Sequence, residues 1–185
     1  MFELYQATTS QGSLSEVWID HTEMLCKKYF KVSGITISGK ETRFGYEEIS
    51  KMYENEIYWS TLIKSDRVLK IYEHGKLQSE EGYYIIQEYV GSDLYRPYSN
   101  KTLHSTYPDI IDQIEDMFKL FKRYNLHKLN NSLTNMCGHN GLIKAFDFKY
   151  GTVRSAESLV KEIYSIDTWV SKIDKNIKDK LINYL

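Results

Sequence analysis

Cysteine is nearly missing from this chain. Cys26 and Cys137 are its only two in 185 residues, too few for a disulfide framework, which points to a reducing, cytoplasmic setting. The opening MFELYQATTS has neither a basic stretch nor an apolar core, so no secretory signal is expected. No apolar run is long enough to span a bilayer, and no membrane association is expected. Net charge is also lacking, at −1 with 26% charged residues. That argues against nucleic-acid binding, which needs a basic footprint. The five histidines are scattered. Cys137 and His139 lie close, but no second ligand pair stands at metal spacing. There is no G-x-S-x-G and no H-E-x-x-H. Repeats and low-complexity tracts are absent. Asn100-Lys101-Thr102 and Asn130-Asn131-Ser132 match a glycosylation sequon, which has no meaning in a cytoplasmic chain. Proline is scarce, at two residues against sixteen tyrosines. With the many Asn, Lys and Ile, this suggests an AT-rich genome such as that of a phage or a pathogen.

What is present is a core-forming apolar fraction of 42% and strong local patterning. Phe2 to Thr8, Val17 to Ile19 and Met24 to Val32 read as strands, with a turn at Ser10-Gln11-Gly12-Ser13. Gly34 to Gly45 reads as a polar linker broken by Gly39. Tyr46 to Ile63 reads as a helix. Ile49, Tyr53, Ile57 and Ser60 form its stripe, with Met52, Trp59 and Leu62 beside it. Val68 to Tyr72 and Tyr83 to Tyr89 read as strands around a turn at His74-Gly75-Lys76. Tyr95 to Pro108 holds both prolines and reads as a connector. Asp109 to Leu126 is an amphipathic helix burying Ile110, Ile111, Ile114, Met117, Phe118 and Phe121. Ser155 to Leu185 is helical by spacing. Strands first and helices later predict an α+β fold, most often one domain or one bilobed domain at this length.

The stretch from His127 to Lys149 reads as a polar loop, a Gly-containing turn, a short apolar strand and an Asp-Phe pair. It sets Asn135 before a buried hairpin and Asp147 after it. A carboxamide and a carboxylate so placed suit a nucleotide-bound Mg2+. Around and within it, segments stand in a fixed order: SQGSLSEV (Ser10 to Val17), LCK with a further Lys28, Glu56 in a helix, YIIQEYVGSDL (Tyr84 to Leu94), KLNNSLTN (Lys128 to Asn135), KAFDFK (Lys144 to Lys149) and KEIYSID (Lys161 to Asp167). In that order they resemble the protein-kinase-like superfamily. The chain is most similar in scale to the minimal effector kinases that some enteric bacteria secrete.

The resemblance implies a bilobed fold. Residues 1–90 would form an N-lobe, an antiparallel sheet with one αC-type helix at 46–63. Residues 91–185 would form a truncated, mainly helical C-lobe with the catalytic-like loop 127–149. ATP would be the nucleotide, with Mg2+. Gly12 would let the backbone approach the phosphates, while Ser10 and Ser15 stand where other glycines belong. Val17 would cover the adenine. Lys27 would bind the α- and β-phosphates and pair with Glu56. Leu25 departs from the usual Ala. Gln87 would be the gatekeeper, and Glu88 to Val90 would offer backbone groups to the adenine edge. Asn135 and Asp147 would be metal ligands. Phe148 would pack under the αC helix, and Lys149 replaces a glycine. Glu162 stands where an Asp braces the catalytic loop.

Asn130 stands where the catalytic Asp belongs, and Lys128 where the His belongs. A carboxamide has no basic oxygen at neutral pH, so Asn130 is no general base. The segment after Asp147 is short, has no A-P-E, and the later helices of the lobe are missing, so no peptide groove is expected. These departures point to a pseudokinase that binds a protein partner and holds Mg-ATP, in the cytoplasm or, for a phage or effector protein, the host cytoplasm. An alternative is a weakly active minimal Ser/Thr protein kinase, because losing a general base costs ~10²–10⁴-fold. A second alternative is a non-enzymatic α+β interaction protein. The stripe Val170, Ile173, Ile177 and Leu181 is a candidate homodimer surface on the C-terminal helix.

Overall fold

The computed structural model describes residues 1–4, 16–35, 41–78, 81–129, 131–174 and 177–185. The chain divides into two compact units. One comprises residues 1–61 and 69–90, the other 62–68 and 91–185.

The first unit is built on alternation. It contains β1 (Glu3–Leu4), β2 (Glu16–Asp20), β3 (Leu25–Lys31), β4 (Ser33–Ile35), β5 (Glu41–Arg43), α1 (Tyr46–Leu62), β6 (Ile71–Lys76) and β7 (Gly82–Glu88). Five strands form one sheet in the order β1-β2-β3-β7-β6, and every neighbouring pair is antiparallel. Along β3, Cys26, Lys28 and Phe30 are buried while Leu25, Lys27, Tyr29 and Lys31 are half-buried, the period-2 pattern of a sheet with one covered face. The β2–β3 turn is closed by Asp20, whose Oδ1 accepts the N–H groups of Thr22 at 3.0 Å and Glu23 at 3.1 Å, an Asx-type turn. Phe30 and Ile85 of the sheet pack on Ile49 and Met52 of α1.

Three expectations shift here. The Gly34–Gly45 linker holds the β4–β5 hairpin. His74-Gly75-Lys76 is not the turn but part of β6, opposite Ile85, Tyr84 and Tyr83. Gly75 is there because the Tyr84 ring lies over it, and a Cβ would meet that ring at 3.1–3.3 Å. The buried stripe of α1 is Ile49, Met52, Glu56 and Trp59, and Leu62 is exposed.

The second unit contains α2 (Tyr95–Ser99), α3 (Leu103–Thr106), α4 (Ile110–Arg123), β8 (Leu126–His127), a 3-10 turn (Leu133–Asn135), β9 (Met136–His139), β10 (Leu142–Ala145), β11 (Thr152–Val153), α5 (Ala156–Ile173) and α6 (Ile177–Ile182). The two short helices α2 and α3 occupy what reads as a connector. The face of α4 buries Ile110, Ile114, Met117, Phe118 and Phe121 as expected, with Leu120 and Gln113 added and Ile111 only half-buried. β9 and β10 form a hairpin through Asn140 and Gly141, at φ +51° and +78°, the left-handed pair of a type I′ turn. Gln113 ties this hairpin to α4. Its Nε2 donates to the Gly141 carbonyl at 2.6 Å, and its Oε1 accepts the Ile143 N–H at 2.8 Å and the Arg67 guanidinium.

β8 pairs with β11. Ser155 and Ser158 cap α5 reciprocally, Ser158 N–H to Ser155 Oγ at 3.1 Å and Ser155 N–H to Ser158 Oγ at 2.9 Å. α6 packs on α4 and α5 and buries Ile177 and Leu181 completely. Those two residues therefore belong to the core of the unit and are not an open dimer surface. Ile173 is half-buried, and the side chain of Val170 lies outside the described residues. Among the described residues, no helix is long and apolar enough to cross a membrane.

Candidate functional site

In the first unit the covered sheet face carries one charge pair. Antiparallel partners point to the same side of a sheet. Val17 pairs with Lys28 and Lys28 with Ile85, while Ile19 pairs with Cys26 and Cys26 with Gln87. Val17, Cys26, Lys28 and Gln87 thus share one face, the face α1 covers. There Lys28 Nζ lies 3.6 Å from Glu56 Oε2, with side chains 7% and 1% exposed. The ammonium also sits 5.0 Å from the centroid of the Phe30 ring. Cys26 stays a neutral thiol, because burial pushes it up to about 11.

The expected partner of Glu56 was Lys27, and this is corrected. A shift of one residue along a strand turns a side chain to the opposite face. Lys27 points away from α1, with its ammonium 5.2 Å and 5.0 Å from the Tyr29 and Tyr84 rings. Leu25 lies on the same face as Lys27, and Cys26 shares the face of Lys28. At the end of β7, the Glu88 N–H donates to the Lys70 carbonyl at 2.8 Å and the Tyr89 N–H to the Met24 carbonyl at 2.9 Å. The side chain of Val90 is buried. Gly12 lies outside the described residues.

In the second unit the candidate loop is braced by one carboxylate. Glu162, on α5, is 1% exposed. Its Oε2 accepts the Leu129 N–H at 3.2 Å, and its Oε1 accepts the Asn131 carboxamide. Leu129 is held at φ +57°, costly for a branched side chain. Burial pushes the Glu162 carboxyl up to about 7, against the pull of the Leu129 N–H and of Lys128 and Arg154. Glu162 thus ties α5 to the loop at Leu129 and Asn131. Asn130, expected at the base position, lies outside the described residues.

Lys128 is fully buried, with its ammonium 5.3 Å from the centroid of the Phe148 ring. Phe148 meets Phe121 edge-to-face at 6.0 Å. His127 is buried, with Nδ1 2.5 Å from Ser158 Oγ, and burial pulls it down to about 4. It is a neutral strut between β8 and α5.

Asn135 and Asp147 bracket the hairpin. The Asn135 carbonyl accepts the Phe146 N–H at 3.1 Å, continuing the pairing one step beyond Met136 and Ala145. The structure therefore places Asn135 opposite Phe146, the neighbour of Asp147, at the open end of the hairpin. Asp147 is buried at φ +65°. Its carboxylate is already engaged, with Oδ2 3.0 Å from the Lys149 ammonium. Among the described residues, no three His, Cys, Asp or Glu side chains gather into a metal-holding group.

Sequence reasoning missed Lys28, the hydrogen bond of Asn131 and the Asp147–Lys149 pair. The first was within reach, because Phe30 is the apolar residue of β3 that must face the core, and Lys28 shares its parity. The chain is thus an α+β protein with a five-stranded antiparallel sheet, and among the described residues buried charge includes Lys28 with Glu56 in the first unit and Lys128, Asp147, Lys149 and Glu162 in the second. No family model matches it, and no curated protein matches it.

Proposed function

We propose that the chain is a kinase-like protein, a pseudokinase that holds ATP and acts by binding another protein. The observation that carries this reading is the Lys28–Glu56 pair. An ion pair buried this deeply, 3.6 Å apart between a central strand and the helix that covers it, is weak evidence for stability, since apolar residues of the same volume pack as well or better. Its presence despite that cost points to a task for the ammonium, and a Lys held by a helix carboxylate is what orients α- and β-phosphates in kinases. Three further features support the reading. Val17, Cys26 and Gln87 share the face of Lys28. Glu162 braces the loop that contains the base position. Asn135 and Asp147 bracket the hairpin that follows.

A pseudokinase is favoured over an enzyme because Asn130 offers no basic atom at neutral pH. Also, β11 and α5 follow Phe148 almost at once, which leaves no long segment to present a peptide.

The test is thermal stabilisation by ATP of the wild type, Lys28→Met and Lys27→Ala. At about 100 times the dissociation constant, wild type and Lys27→Ala gain about 5 °C or more, and Lys28→Met gains nothing. A wild type unmoved by ATP, or a shift lost in Lys27→Ala and kept in Lys28→Met, would sink the nucleotide assignment. Transfer of labelled phosphate to the protein itself or to lysate proteins would make it an enzyme after all.

A further inference from the structure

The tip of the β9–β10 hairpin is Asn140-Gly141, and Asn140 is the only asparagine of the chain that precedes a glycine. Both residues are exposed, as is His139 before them. A Cβ built on Gly141 would meet nothing within 4 Å, so open space flanks the turn. This pair suits a type I′ turn, with φ +51° and +78°. It is also a chemically reactive pair. No side chain on Gly141 shields its amide nitrogen, and that nitrogen can close a succinimide ring on the carboxamide carbon of Asn140.

In the type I′ turn the Gly141 nitrogen faces away from that carbon. Rotation of the central peptide alone gives a type II′ turn, which keeps φ > 0 at the first residue only. Asn140 therefore keeps its sign of φ, and Gly141 takes a negative one, which glycine adopts at no steric cost. The rotation swings the Gly141 nitrogen toward the Asn140 side chain. It leaves the anchors of the hairpin in place. Leu142 stays opposite His139, and the Gly141 carbonyl keeps its bond from Gln113 Nε2 at 2.6 Å.

We propose that Asn140 is a self-modification site, at which the folded protein converts this asparagine to aspartate and isoaspartate without an enzyme and so loosens its own hairpin. The Gly141 N–H gives its proton to hydroxide, and the nitrogen attacks the carboxamide carbon of Asn140. A new C–N bond forms there as the old one breaks, and ammonia leaves. Water then opens the ring. Opening at the side-chain carbonyl gives aspartate, and opening at the main-chain carbonyl gives isoaspartate. Either product adds one negative charge to a chain of net charge −1. Isoaspartate also inserts a methylene into the main chain of the turn, and turn length sets the register of the strands it joins. None of this depends on nucleotide binding.

The test is incubation of the folded protein at mildly alkaline pH and body temperature, beside the same chain unfolded in urea. Peptide mapping that separates aspartate from isoaspartate follows both. The peptide carrying Asn140 is expected to exchange an NH for an oxygen faster than any other asparagine peptide of the folded protein. Its rate is expected within about a hundredfold of that in urea, since loop tips rearrange at little cost. A slower reaction, or one no faster at Asn140 than elsewhere, would mean that the turn locks the asparagine, and it overturns the inference.

The consequence is read by amide exchange on the isolated isoaspartate form and on Asn140→Asp, which adds the charge without lengthening the chain. The amides of β9 and β10 are expected to exchange faster in the isoaspartate form and to keep their protection in Asn140→Asp. Full protection in the isoaspartate form would show that the hairpin absorbs the extra methylene. Equal loss in both forms would assign the effect to charge. Either result overturns the loosening by isoaspartate.

Discussion

Glu162 and His127 pull stability in opposite directions with pH, and both stand beside the candidate loop. The Glu162 carboxyl is pushed up to about 7 from an ordinary value of 4.5. Between those values the folded state binds the proton more tightly than the unfolded chain. Its contribution is fully present below pH 4.5 and is lost as pH rises through 7. His127 is pulled down to about 4 from 6.5. Its contribution is present above pH 6.5 and is lost as pH falls toward 4. From 4.5 to 6.5 the two partly cancel. Glu162→Gln keeps a hydrogen-bond acceptor for Leu129 and removes the titration. The stability of the wild type relative to Glu162→Gln should fall by on the order of 2–3 kcal/mol between pH 4.5 and 7.5. Urea unfolding at several pH values measures this. Parallel pH curves for the two proteins would refute it. Residue identity at this scale was partly legible. The bracing role of Glu162 followed from its place in the motif order. The choice between Lys27 and Lys28 needed the parity of the strand, which two adjacent lysines conceal.

Among the elements, one buried polar side chain ties the β9–β10 hairpin to α4. Gln113 is buried on α4 with its amide fully used, accepting from Ile143 N–H and Arg67 and donating to Gly141 C=O and Asp109. Buried polar groups that lose a partner cost about 1–3 kcal/mol each. Gln113→Leu has nearly the same bulk but strands the buried Ile143 N–H, while Gly141 is exposed and Arg67 half-buried. It should cost roughly 1–3 kcal/mol. The Ile143 amide should exchange its hydrogen much faster than the amides of α4 around it. Unchanged Ile143 protection would show that the hairpin is held by its own ladder.

The longer helices are legible because each carries an apolar period. The spacing along α1 points to a stripe of Ile49, Tyr53, Ile57 and Ser60 with Met52, Trp59 and Leu62 beside it, whereas the buried face is Ile49, Met52, Glu56 and Trp59, rotated enough to take in the one charge Glu56. The short hairpin β4–β5 was not legible. Its strands are three residues long, and their composition is that of a loop. The turn after β6 was misplaced because Gly75 serves ring packing and not chain reversal.

At the scale of the whole molecule, the two compact units are not two consecutive halves. The resemblance implies lobes of residues 1–90 and 91–185, and the compact units are 1–61 with 69–90 and 62–68 with 91–185. Yet 62–68, seven residues inside the N-terminal part, belongs to the second unit. Nothing in LIKSDRV announces this, because a strand-like patch so short has no period. Its contribution is backbone and anchor points. Ile63 and Val68 are buried, Val68 bridges Ala145 in parallel, the Arg67 carbonyl accepts the Ala145 N–H at 2.7 Å, and the Arg67 guanidinium reaches Gln113. A fragment of residues 91–185 loses all of this next to Asp147. It should be less stable, by on the order of 3 kcal/mol out of a total of 5–15, than the same fragment carrying 62–68 at its N-terminus through a long flexible Gly/Ser linker. Guanidinium unfolding of the two fragments, with amide spectra to judge order, compares them directly. Equal midpoints would mean that 62–68 merely passes over the second unit. A gain confined to the linked fragment would make those seven residues part of its core, and part of what sets the hairpin end at Ala145.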